Sequence, residues 1–112
     1  AEDMEALQDE FYPDLETMLT PLTVSESLVQ SEAVLRQMGL EIINVDPALG
    51  VVEATDTTQW FQFKDDLIVR IRSEGDQTLI DLRSVSRVGQ SDLGVNAERI
   101  RRFVQGFESP SS

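Results

Sequence analysis

Apolar and polar positions along this chain sort into a helical stretch, four extended stretches and a second helical stretch. Thr23 and Glu26 stand three apart, the spacing of a capping box, and predict a helix from there to about Met38. Val24, Leu28, Leu35 and Met38 supply its apolar stripe, and Gly39 follows as the natural left-handed terminator. Leu40–Val45 reads as a strand and residues 46–50 as a tight turn. Val51–Thr58 is a β-rich run that Trp60–Phe63 extends. Lys64-Asp65-Asp66 interrupts the pattern before Leu67–Arg72, where Leu67, Val69 and Ile71 share one face and Arg70 and Arg72 take the other. Glu74-Gly75-Asp76 predicts a hairpin turn into Thr78–Ser86, with Ile80 and Leu82 facing inward and Asp81 and Arg83 outward. Asn96 is placed to cap a last helix running to about Phe107, with Ile100, Phe103, Val104 and Phe107 as its buried stripe.

The expected order is therefore α-β-β-β-β-α. Hairpin-length connections imply an antiparallel sheet, and two amphipathic helices cover one face of it. The fold class is α+β, two layers, with four strands and both helices on one side. Residues 23–108 form that single domain and residues 109–112 a tail. Residues 1–22 read as an irregular acidic docking segment punctuated by Pro13 and Pro21; the spacing of Met4, Leu7 and Phe11 suits a short helix over residues 4–10.

Charge sharpens this division. Residues 1–59 hold thirteen acids and one base, Arg36, whereas residues 60–112 hold eight of each, so the whole net charge of −12 belongs to the first half. Such a surface repels phosphate backbones and excludes nucleic acid as an expected partner. The bland reading of the acidic start is a solvated tail. Its Leu7, Phe11, Tyr12, Leu15, Met18 and Leu19 are too apolar for that, and point to a strip that docks by its hydrophobes and is steered by its charge. No apolar run approaches the roughly 18 residues that span a bilayer, so no transmembrane segment is expected.

The chain has no cysteine and no histidine. That removes disulfides, thiolate metal sites and the commonest general base. Asp65 and Asp66 are adjacent, and in a strand they point to opposite faces, so they cannot jointly grip one substrate. Neither a calcium loop, a nucleophile elbow nor a phosphate-binding glycine loop is present. No catalytic residue, metal or cofactor is expected, and the chain reads as a non-enzyme.

The densest specification lies between Arg83 and Arg102, RSVSRVGQSDLGVNAERIRR. Arg83, Ser84, Ser86 and Arg87 end the last strand, Arg83 and Arg87 on one side and the serines on the other. The arginines suit an anion site, or they tie the loop to the sheet through Asp65, Asp66, Asp81 or Asp92. Ser91, Asp92 and Gly94 read either as a nest for an anion or as a loop that caps its own amides. Asn96 and Arg99 complete the stretch. Trp60, Phe61 and Phe63 form the one aromatic cluster; packing in the core is its default, and an exposed Trp60 would mark a partner or lipid contact.

This stretch, with Tyr12-Pro13-Asp14, Glu53-Ala54-Thr55 and Phe63-Lys64-Asp65-Asp66, resembles the family catalogued as domain of unknown function 1499, found in bacteria and in plastid-bearing eukaryotes. The likeness spans residues 12–107. It implies kinship and favours a shared structural lock in the loop of Ser91, Asp92 and Gly94, without separating lock from site, and supplies no activity. A start at Ala-Glu-Asp suits a processed, imported protein. Together these lead to an expected accessory subunit that docks on a photosynthetic membrane complex such as a photosystem. Its expected place is a plastid thylakoid, lumen in preference to stroma, with a bacterial periplasm as the alternative. Leu7, Phe11, Tyr12 and Trp60 are the expected docking residues. The rival reading is a carrier for a small apolar or anionic ligand, held between a curved sheet and its helices.

Overall fold

The computed structural model of the 112-residue chain describes residues 15–57, 64–86 and 93–109. The elements are β1 (Leu15–Thr20), α1 (Val24–Gln37), β2 (Glu41–Asp46), β3 (Val51–Thr57), β4 (Lys64–Glu74), β5 (Gln77–Ser86) and α2 (Leu93–Glu108). They form one antiparallel sheet of five strands in the order β1-β5-β4-β3-β2.

The α+β class is as expected, but the sheet has five strands where four were expected. The added strand is β1, inside the segment read as irregular. Its inward positions are Met18 and Thr20, and its outward positions include Leu15, Thr17 and Leu19. With Leu15 and Leu19 turned out and Glu16 and Thr20 flanking Met18 on the inward side, the strand shows no apolar face of period two. The helices also cover the central strands, so β1 joins at the edge, paired to β5 from Leu15↔Arg83 to Thr20↔Thr78.

α1 forms where its caps place it. Thr23 Oγ1 accepts from the Glu26 amide at 3.1 Å, and the Thr23 amide donates back to Glu26 Oε1 at 2.9 Å. At the other end the amides of Gly39 and Leu40 donate to the carbonyls of Arg36 and Leu35, both at 3.0 Å, with Gly39 at φ +88°. That pair of bonds is a Schellman motif, and it needs the left-handed residue that glycine supplies. Gly50, at φ +71°, is held more tightly. The Ile71 amide donates to its carbonyl at 2.6 Å, and a Cβ at Gly50 would run into the Ile71 carbonyl.

Two boundaries differ from the sequence reading. Lys64, Asp65 and Asp66 do not interrupt β4; they begin it, paired to Thr57, Asp56 and Thr55 of β3. α2 starts at Leu93, so Asn96 lies inside its first turn and is not its cap.

Both helices pack on the inward face of the sheet. Leu28, Val34 and Leu35 of α1 and Ile100, Phe103 and Phe107 of α2 share one core with Val52, Ala54, Leu67, Val69, Ile71, Ile80 and Leu82. Each of these side chains larger than Ala54, taken fully out of water, contributes roughly 1.5–3 kcal/mol. The helices touch each other where Gln30 Nε2 donates to the Phe107 carbonyl at 2.6 Å and Gly106 lies against Val34. The Phe103 and Phe107 rings stack at 5.9 Å between centroids.

Candidate functional site

One corner of the inward face is polar. Along β3 the inward positions run Val52, Ala54, Asp56, and along β4 they run Asp65, Leu67, Val69. Asp56 and Asp65 are directly opposite each other in the ladder, a pairing that like charges oppose. Ser84 of β5 is opposite Leu67 on the same side. α2 crosses above them and presents Asn96 and Arg99, one turn apart.

Arg99 resolves the conflict. Its side chain is 4% exposed and its guanidinium makes five hydrogen bonds: Nε and Nη2 to Asp56 Oδ2 at 3.2 and 3.1 Å, Nη2 to Asp65 Oδ2 at 2.9 Å, and Nη1 to Ser84 Oγ and Asn96 Oδ1 at 2.9 and 2.8 Å. A guanidinium has five N–H donors in a rigid fork, and all of them are engaged here. Ser84 Oγ in turn donates to Asn96 Oδ1 at 2.7 Å. Asn96 Nδ2 is buried without a partner, the one unmet polar atom of the constellation. Three strands and one helix are thus joined through a single side chain. Chemically the arrangement holds charge still: both carboxylates face a cation that has no donor left for a ligand.

The outward face carries a second cluster. Arg72 Nε donates to Asp81 Oδ2 at 3.0 Å and Nη1 to Glu74 Oε2 at 3.3 Å, while Thr17 Oγ1 donates to Asp81 Oδ1 at 2.7 Å. Partial burial pushes the Asp81 carboxyl up. The Thr17 hydroxyl, the Arg72 guanidinium and the Arg70 charge outweigh it, so the group sits below the usual carboxylate range. The hydrogen bond and charge of Asp81 hold Arg72 above its ordinary value. On the same face Thr55 Oγ1 donates to Asp66 Oδ1 at 2.8 Å.

Of the residues singled out in the sequence, Ser84, Asn96 and Arg99 come together in the buried constellation. Arg83 is exposed on the opposite face, as the alternation of β5 requires. Asp65 and Asp66 do diverge, Asp65 to the buried side. The cation that takes Asp65 is Arg99, and the one that takes Asp81 is Arg72; the expected pairing of Arg83 or Arg87 with one of Asp65, Asp66, Asp81 or Asp92 turns on Arg87 and Asp92, which lie outside the described residues. Ser86 ends β5 and Gly94 lies in the first turn of α2. Arg87, Ser91, Asp92, Leu7, Phe11, Tyr12 and Trp60, with the short helix over residues 4–10 and the Trp60–Phe63 extension, lie outside the described residues. Asp56 was missed. Its signal was parity: two residues beyond Ala54, it is an acid at a core-facing register, and such an acid requires a buried cation.

Among the described residues no three or more Asp or Glu side chains converge as a metal site would need, and no helix is long and apolar enough to cross a membrane.

A two-layer α+β domain locked by an internal arginine is the class that fold and site define. The protein family of unknown function DUF1499 matches residues 3–107, and the chain belongs to that family. No curated protein matches it. Among solved structures it is similar to Ara h 8.0201, with a TM-score of 0.55 and 10% identity over 83% of this chain and 89% of that one. It is also similar to the vertebrate conserved region of human METTL16, with a TM-score of 0.52 and 14% identity over 84% of this chain and 95% of that one. Likeness at such identities concerns the fold alone.

Proposed function

We propose that this protein is a non-catalytic accessory subunit that docks on a photosynthetic membrane complex, a photosystem, on the lumen side of a plastid thylakoid. The observation that carries the non-catalytic part is the saturation of Arg99. Ser84, Asn96 and Arg99, three residues of the stretch most densely specified in the sequence, are spent on joining α2 to β3, β4 and β5, which suits a rigid module. Docking is supported by apolar side chains left outside: Leu15 and Leu19 on β1, Ile43 on β2 and Leu49 in the turn that follows are each about half exposed or more. The plastid and the photosystem rest on the occurrence of the family in plastid-bearing organisms and on the acidic, apolar first segment.

A carrier of a small ligand is the weaker reading. Its ligand would lie between helices and sheet, where Leu35, Leu67, Ile80, Leu82 and Phe103 are packed to 1% exposure or less. Native electrophoresis of a mild-detergent membrane extract separates the two. Migration with a large membrane complex is the expected result; a free small species that yields an extractable ligand would overturn the subunit reading in favour of the carrier.

A further inference from the structure

The sheet has two edges, β1 and β2, and they are built differently. β2 carries a register shift between Ile42 and Asn44, so its pairing with β3 is bent. A bulge of that kind is one of the devices by which proteins blunt an edge against further strands. β1 has no bulge: its register with β5 is unbroken over all six residues, it holds neither proline nor lysine, and its single charged side chain is Glu16. Leu15 and Leu19 project from it on one face, 48% and 55% exposed. Among the described residues nothing pairs with its outer side.

Charge decides what can pair there. Residues 1–20 contain seven acids and no base. A second copy of the chain would bring two such segments and two Glu16 side chains together, which like-charge repulsion opposes. An extended segment with basic side chains is attracted instead, and apolar side chains at alternate positions would cover Leu15 and Leu19 while the backbone extends the ladder. Resting on the docking reading above, we propose that β1 is the docking edge, and that it accepts an added strand from a partner segment that alternates basic and apolar residues.

A short synthetic peptide of alternating lysine and valine serves as the probe, with the full chain as its target. Amide hydrogen exchange over residues 15–20 is expected to slow on addition of the peptide, with residues 41–46 unchanged. Leu15→Thr with Leu19→Thr leaves charge and β-propensity in place and removes only exposed apolar surface, so an unchanged melting temperature confirms the fold. This double variant should weaken peptide binding about tenfold or more. Binding that slows no exchange in residues 15–20, protects β2 instead, or survives the double variant overturns strand addition. Loss of attachment to the membrane complex on deletion of residues 1–11, with attachment intact in the double variant, would leave docking standing and remove β1 as its edge. Attachment intact in both would remove docking as well.

Discussion

Two arginine clusters lie on opposite faces of one sheet, and their chemistry is nearly the same. Arg99 grips Asp56 and Asp65 beneath α2, and Arg72 grips Asp81 and Glu74 on the open side. Distances barely separate them, since each has an N–O contact of about 3 Å. Solvent does. The Arg99 side chain is 4% exposed and the Arg72 side chain 48%. Water can replace either partner of an exposed pair at little cost, whereas a buried carboxylate that loses its cation has nothing else to turn to. The difference teaches that the importance of an ion pair in this fold is set by what would solvate the survivor.

The sharpest way to break that comparison is to remove the buried cation. Arg99→Met keeps the aliphatic bulk and leaves Asp56 and Asp65 facing each other without their cation. Urea unfolding should show a loss of about 3–5 kcal/mol. Arg99→Lys should recover only part of it, because an ammonium cannot occupy a five-donor fork. A loss under about 1 kcal/mol for Arg99→Met would mean that the constellation is not the lock, since that is the range of surface pairs.

A smaller effect sharpens the same point without touching charge. Ser84 Oγ both donates to Asn96 and accepts from Arg99. Ser84→Ala leaves one acceptor and one donor short in a dry site and should cost about 1–3 kcal/mol by thermal or urea unfolding. If that cost disappeared in the Arg99→Met background, the hydroxyl would be shown to act through the guanidinium, as a double-mutant cycle reports.

How much of this was legible beforehand follows from the same contrast between faces. α1 was readable to the residue because Thr23, Glu26 and Gly39 are local signals that act within one turn of chain. The inward faces of β4 and β5 were readable because Leu67, Val69, Ile71, Ile80 and Leu82 alternate cleanly. β1 was not, because pairing with β5 across about sixty residues turns its leucines outward. Nor was the Arg99 cluster as such: Ser84, Asn96 and Arg99 stand in one motif, but their carboxylates come from strands thirty and forty residues earlier, and only the register of β3 with β4 brings them opposite each other. Asn96 read as a cap for a related reason. An asparagine near a helix start most often serves its own backbone, and here a serine and an arginine claim it.

The smallest expected effect belongs to the outward cluster, and its sign can be fixed in advance. The Asp81 carboxyl lies below its usual range in the folded protein, after the upward push of burial is outweighed by Thr17, Arg72 and Arg70. A depressed value in the folded state means that ionised Asp81 stabilises the fold above the unfolded pKa of about 4, and that the contribution fades as pH falls through the folded value. Asp81→Asn abolishes that ionisation. The wild type should therefore be slightly more stable than the variant at neutral pH, with a gap that narrows only below about pH 4. Added salt should also shrink it at neutral pH, as for any exposed pair. Melting curves of both proteins across that range decide the matter. A gap that opens as the solution is acidified would reverse the sign, and a gap indifferent to both salt and pH would place Asp81 with Asp65 in a dry site, against its position on the open face.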